Sequence, residues 1–404
     1  MEELIFFAAL LVFAYGLVSA VADRSPITAP MVFVTVGIAA GPLGLDLLTV
    51  DVGSETVQLI AEITLVLVLF TAASTIDLRR LKGEYLIPLR LLAIGLPLMM
   101  VLGIIVAAWL FDDAAFWLIA VMALILSPTD AALAQTVVGS KRVPAEVRDA
   151  IGVESGLNDG IALPPIMACI AAVGAAGSSP DLGQWGAHLL TQIALGLVAG
   201  GLIGWIGGML IDRAAKRRWM EPLYQRLASF ALAVLCYSLA EELGGNGFIA
   251  AFLGGLMLGT RTPSVRERIR EFGEAEGQQL ALFVFLIFGL AMVPAVIDHF
   301  DLRALVYALL SLTLIRMLPV ALSLLGARLG APTVAFIGWF GPRGIASILY
   351  TLILIGELGF DGQERIISVI VLTVLLSIFA HGISAIPLSS WYARNNRIKK
   401  ESSA

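Results

Sequence analysis

The chain has 404 residues, 59% of them hydrophobic and only 14% charged, with a formal net charge of −5. A water-soluble protein of this length needs far more charge to cover its surface, which sets aside soluble enzymes and nucleic-acid binders. About twenty apolar residues cross a bilayer as a helix, so there is room for a dozen or more spans.

Apolar runs broken by charge or by Gly/Pro/Asp clusters predict thirteen segments. They cover roughly 3–21, 27–46, 56–76, 85–111, 113–138, 145–177, 184–212, 222–243, 246–260, 271–297, 301–327, 331–357 and 362–391. The first follows Met1-Glu2-Glu3, whose acids are the wrong sign for a secretory leader, so a retained helix is expected despite the cleavage-like Ser19-Ala20-Val21-Ala22. Several segments exceed twenty-five residues and must tilt, break or extend beyond the bilayer. Cys169 and Cys236 lie in apolar runs, against a disulfide or metal cluster, and His188, His299 and His381 are scattered.

The connecting loops alternate in charge. One set carries Arg24; Arg79, Arg80 and Lys82; Lys141, Arg142 and Arg148; Arg213, Lys216, Arg217 and Arg218. It continues with Arg261, Arg266, Arg268 and Arg270; Arg328; and Arg394, Arg397, Lys399 and Lys400, in all twenty of the 26 basic residues. The other set is acidic (Asp51, Glu55, Asp112, Asp113, Asp181, Glu241, Glu242, Asp298, Asp301, Asp361, Glu364) and holds only Arg303 and Arg365 as bases. The positive-inside rule makes the first set cytoplasmic, with the N-terminus outside and the C-terminus inside. No soluble domain is expected. The tail after about Trp391 is short and basic, suited to a membrane surface.

Polar groups inside apolar spans mark ion paths, because each is expensive there. Glu62 in the third segment either lines an access path or pairs with Arg90 or Arg226. In the fifth segment Ser127-Pro128-Thr129-Asp130 interrupts the helix; Pro128 removes a donor and Thr129 and Asp130 can cap the restart. In the sixth, Glu154 with Asn158 and Ser155 with Asp159 form two i, i+4 pairs on neighbouring faces. Glu274 and Glu276 sit near the cytoplasmic start of the tenth, as funnel lining or a solvated helix end. The eleventh strands Arg316, the natural partner of Glu154. The twelfth is broken at Gly341-Pro342-Arg343-Gly344.

The two breaks stand seven segments apart, as inverted repeats with crossing discontinuous helices require. Asp130 complements the positive end of a restarted helix and Arg343 the negative end of a terminated one. Hard oxygen ligands suit an alkali cation: Asp159 with Ser155, and Thr129 and Asp130 from the broken helix.

Glu154-Ser155-Gly156-Leu157-Asn158-Asp159, preceded by Pro128-Thr129-Asp130, resembles the monovalent cation:proton antiporter family 1, the sodium/proton exchangers. Leu69-Phe70-Thr71, Arg316 and Gly341–Gly344 extend the likeness over nearly the whole chain. The resemblance implies an all-α, thirteen-helix homodimer of the sodium/proton antiporter fold in the inner membrane. Residues 1–84 and 221–300 (helices 1–3 and 8–10) would form a dimerisation domain, and 85–183 and 301–392 (helices 4–6 and 11–13) a core transport domain. Residues 184–220 would be a linking seventh helix and 393–404 a cytoplasmic tail.

It implies further that Asp159 binds a cation and a proton alternately, with Ser155, Asp130 and the Thr129 carbonyl completing the site. Asn158 would steady the break, Glu154 would pair with Arg316, and exchange would be electroneutral because Asn158 stands where electrogenic relatives carry a second Asp. No cofactor is implied beyond the transported Na⁺ (or Li⁺) and H⁺. A K⁺/H⁺ antiporter is the close alternative. A sodium-coupled organic-anion symporter is the remoter one, with no polar cluster around the breaks to hold an anion.

Overall fold

With no water in a bilayer core, backbone N–H and C=O groups must pair within each segment. Among the described residues every regular element is helical. The structure is a computed structural model and describes residues 2–22, 25–76, 86–140, 142–175, 182–262 and 266–402. Arg24, Arg79, Arg80, Lys82, Lys141 and Asp181, which enter the loop-charge argument, lie outside these residues, as does the side chain of Glu274.

The helices are α1 (Glu2–Ala22), α2 (Ala29–Ala40), α3 (Glu55–Ser74) and α4 (Leu86–Leu110). Then come α5 (Phe116–Ile125), α6 (Ala131–Val138), α7 (Ala145–Ala175), α8 (Leu182–Lys216), α9 (Pro222–Glu242) and α10 (Gly247–Arg261). The chain continues through α11 (Arg266–Ile287, extended through Val293–Val296), α12 (Leu302–Leu312) and α13 (Leu314–Ser323). It ends with α14 (Ala331–Trp339), α15 (Ile345–Leu358) and α16 (Glu364–Ser402). Among the described residues nine helical stretches are long and apolar enough to cross a membrane. Four apolar helices are shorter, and two of these, α5 and α15, are halves of the segments expected to break.

Proline shapes several of the others. Ahead of Pro97 and Pro294, which cannot donate to the carbonyl four residues back, the backbone widens into π turns at Leu91–Gly95 and Phe288–Met292. The eleventh segment, read from the sequence as continuous, is interrupted at Thr313 (φ −114°, ψ −88°). Pro319 leaves the Ile315 carbonyl without its helical donor, and the Thr313 hydroxyl bonds back to Leu309 O at 2.6 Å. The last helix runs to Ser402, beyond the expected tail boundary near Trp391, since nothing after Pro387 is a helix breaker.

By compactness the chain divides into two units. One comprises Met1–Gln58, Ile87–Ser155 and Ala281–Ala404; the other comprises Leu59–Leu86 and Gly156–Leu280. In the second unit α8 and α10 approach backbone to backbone. A Cβ at Gly196 would lie 2.6 Å from Asn246 O, and Gly200 and Gly204 meet the backbones of Ala250 and Gly254 in the same way. Small residues four apart permit such packing where lipid supplies no hydrophobic drive.

In the first unit an apolar core joins α4, α6, the start of α7, α13, α14 and α16. Val137, Ile151, Val320 and Phe336 belong to it, with Phe336 stacked on Tyr392 at 4.5 Å. Arg303 and Arg365, the two bases of the acidic loop set, also belong to this unit. The Arg365 guanidinium lies 2.6 Å from Asp113, and that of Arg303 lies 3.6 Å from both Asp112 and Asp113.

Candidate ion site at two crossed helix breaks

Both predicted breaks lie in the first unit. α5 stops at Ile125, Ser127 turns its hydroxyl back to Ala123 O (2.7 Å), and α6 starts at Ala131. α14 stops at Trp339, and residues 340–344 are non-helical until α15 starts at Ile345. The broken stretches run against each other: the Asp130 N–H donates to Pro342 O at 2.8 Å, and the Ser347 hydroxyl to Ile125 O at 2.8 Å. Two helices that end here leave carbonyls without donors, and two that begin here leave N–H groups without acceptors.

One carboxylate serves both beginnings. Asp130 accepts from Leu133 N of α6 through Oδ1 (3.3 Å) and from Ile345 N of α15 through Oδ2. Two arginines serve the two endings. Arg343 donates through Nη1 to the carbonyls of Ser127 and Pro128, the latter at 2.8 Å, beyond the end of α5. Arg316 donates to Gly338 O (3.3 Å) and Ile337 O (3.4 Å) at the end of α14.

Arg316 also forms the expected two-point pair with Glu154, Nη2 to Oε2 at 2.8 Å and Nη1 to Oε1. All four charged residues are buried, with both arginines 0% exposed. Two positive and two negative groups thus balance where an uncompensated charge would be prohibitive.

The approach is close enough to dictate glycine. A Cβ on Gly341 would run into the Arg316 guanidinium, and one on Gly344 into the Asp130 carboxylate. Pro128, Asp130, Glu154, Arg316 and Arg343 therefore form one arrangement, with Pro128, Asp130 and Arg343 in the breaks and Glu154 and Arg316 on the helices α7 and α13.

Thr129 and Ser155 are buried and joined, Oγ1 to Oγ at 3.0 Å. Ser155 lies on α7, and Asn158 and Asp159, also buried, follow within the next turn of that helix. Elsewhere, Arg90 donates to Leu325 O at 2.8 Å and Glu62 is half-buried on α3. Glu276 is exposed and lines a small cleft of the second unit with Thr71, Ser74 and Ser229.

Three contributors were not singled out from the sequence: Ser347, Ser377 and His381. Ser377 accepts from the Arg343 N–H at 2.7 Å and lies 3.1 Å from the His381 ring. The signal was available, since Ser377 and His381 stand i, i+4 in the largely apolar middle of α16.

Comparison with known proteins agrees with this architecture. The transmembrane sodium/hydrogen exchanger family is matched over residues 7–391. A K(+)/H(+) antiporter NhaP of Alkalimonas amylolytica is 29% identical over 373 residues, which cover 89% of this chain and 62% of the relative. An Na(+)/H(+) antiporter ApNhaP of Aphanothece halophytica is 26% identical over 363 residues, covering 85% and 66%. The chain therefore spans slightly less than two thirds of the length of these curated relatives. Among solved structures, the sodium proton antiporter MjNhaP1 from Methanocaldococcus jannaschii at pH 8 superposes with a TM-score of 0.80. That match has 20% identity and covers 97% of this chain and 99% of the other, a likeness of fold. The chain is a multi-pass, all-α member of the sodium/hydrogen exchanger family.

Proposed function

We propose that the protein is an electroneutral secondary antiporter exchanging Na⁺ (or Li⁺) for H⁺ by competition at Asp159. The observation that carries this reading is the charge-balanced crossing of two broken helices, with Thr129 tied to Ser155 on the helix that bears Asp159. Asp159, Asp130, Ser155 and Thr129 supply the oxygen ligands of the cation. Asn158 and Pro128 shape the site, and Glu154, Arg316 and Arg343 hold the breaks.

Competition follows from the cost of a bare carboxylate in the membrane. A proton neutralises Asp159, and so does a bound cation; either form crosses between the two access states, and the empty anion does not. Obligatory exchange then needs no separate gate. Residues 85–183 and 301–392 act as the moving core, and 1–84 and 221–300 as the dimerisation domain of a homodimer in the lipid of the inner membrane. The loop charges set the N-terminus outside and the C-terminus in the cytoplasm.

A K⁺/H⁺ antiporter is the second reading, favoured by the name carried by the Alkalimonas relative. Oxygen ligands alone do not choose between the ions, because selectivity depends on cavity size and hydration. Liposomes holding a pH-sensitive dye separate the readings when Na⁺, Li⁺ or K⁺ is added against a pH gradient. Proton flux with Na⁺ and Li⁺, unchanged when valinomycin and K⁺ clamp the voltage, is expected. Flux with K⁺ alone would reassign the substrate, and no flux with any cation would overturn the antiporter reading.

A further inference from the structure

His381, buried on α16, has no part in the exchange scheme. Its ring bridges two backbone carbonyls. Nε2 lies 2.9 Å from the carbonyl oxygen of Trp339, the last residue of α14. Nδ1 lies 2.9 Å from Ser377 O and 3.1 Å from the Ser377 hydroxyl. That hydroxyl accepts the backbone N–H of Arg343 at 2.7 Å.

A neutral ring has one N–H to give, and one arrangement supplies a proton to each of the other contacts along this chain. Ser377 accepts from Arg343 and gives its own proton to a bare Nδ1, while Nε2–H donates to Trp339 O. Either neutral tautomer leaves one bare nitrogen 2.9 Å from a carbonyl oxygen, but a bare Nδ1 receives the Ser377 hydroxyl proton, whereas a bare Nε2 would face only the Trp339 carbonyl. The proton therefore belongs on Nε2.

Trp339 is held at two further points. Its indole N–H donates to Ser384 Oγ at 2.9 Å, and its ring lies 5.0 Å from the His381 ring. Trp339 is the upstream lip of the break in the twelfth segment and Arg343 lies just before the restart. Both lips are thus tied to α16 within two helical turns, at Ser377, His381 and Ser384. The backbone between them carries the Pro342 carbonyl that receives Asp130 N–H.

We infer that His381 and Ser377 are positioning residues that set the width of this break. Through it they keep Pro342 and Arg343 in register with Asp130 and with the carbonyls of Ser127 and Pro128. The consequence for transport rests on the antiporter reading; the structural role does not.

The test compares the full-length protein with His381→Gln, His381→Asn and Ser377→Ala in two assays. A glutamine amide reaches about as far as Nε2 and keeps the donor to Trp339 O, whereas an asparagine amide is too short. Deuterium uptake is measured in the peptide covering residues 339–345. It should rise in His381→Asn, stay at the wild-type level in His381→Gln, and rise less in Ser377→Ala.

In liposomes the half-saturating cation concentration should increase about tenfold in His381→Asn, the effect of one lost hydrogen bond. The maximal rate should hold, and His381→Gln should restore the affinity. Unchanged uptake in His381→Asn, or His381→Gln behaving as badly as His381→Asn, would overturn the inference. Should His381→Asn fail to fold, Ser377→Ala decides, because it removes only the hydroxyl of the relay. A wild-type protein that moves no cation would sink the antiporter reading and leave the deuterium result to judge this one.

Discussion

Two clusters of arginine and carboxylate lie in the same unit and are built on opposite principles. At the crossed breaks Asp130, Glu154, Arg316 and Arg343 are buried, and each charge meets helix ends or another charge. In the acidic loops Asp112, Asp113 and Arg303 are exposed and Arg365 is partly exposed, with arginine–carboxylate separations between 2.6 and 3.6 Å. Water screens the second cluster and supplies substitutes for every partner lost. The first has no substitute, so each member is required by the others. The difference teaches that burial, more than the number of ion pairs, decides which charges the fold depends on.

The sharpest way to break the comparison is Arg316→Ala. It leaves Glu154 charged and buried and removes the donors to Ile337 and Gly338, so stability should fall by about 3–5 kcal/mol, read by thermal unfolding in detergent. The double change Glu154→Met with Arg316→Met should recover most of that loss. A residual deficit of about 1 kcal/mol should remain for the uncapped end of α14. Full recovery would show that the capping bonds contribute nothing.

Gly344→Ala should come next. Its Cβ would displace the Asp130 carboxylate from Ile345 N, at about 1–3 kcal/mol for an overpacked position, with exchange lost in proportion to the displaced site. An alanine variant with normal stability and transport would mean that the breaks are less tightly crossed than their contacts imply.

The exposed cluster should give the smallest effect. A hydrogen bond from Arg365 holds the Asp113 carboxyl below its ordinary value, helped by its own backbone and by the Arg365 and Arg303 charges. A lowered folded-state pKa contributes its full stability above the unfolded value of 3.8, and that contribution is lost as the pH falls from there through the folded value. Asp113→Asn should therefore match wild type at low pH and be slightly less stable at neutral pH, by a margin that added salt erases. A large loss at neutral pH, insensitive to salt, would contradict the contrast between the clusters.

The residues legible in the sequence are those whose cost is local. Asp130, Glu154, Asp159, Arg316 and Arg343 stand out because a charge in an apolar run is expensive wherever the chain goes. Pro128 and the glycines around Pro342 mark the breaks through backbone chemistry alone. What stayed hidden depends on contacts distant in sequence. Arg316 reads as a partner for Glu154, yet its second task, holding the end of α14, is visible only once α13 and α14 are packed. His381 reads as a stray histidine until its two carbonyls are in place. The interruption at Thr313 escapes notice because no Gly or Pro stands at it; the nearest helix breaker, Pro319, lies six residues downstream inside the restarted helix.

The central claim is that one carboxylate carries both the proton and the cation. Asp159→Asn removes the charge and keeps the shape, so dye-loaded liposomes containing this variant test the claim most directly. A variant that elutes and unfolds like wild type but shows no cation-driven proton flux with Na⁺, Li⁺ or K⁺ is the predicted result. Normal exchange by the same variant would contradict it and move the site elsewhere.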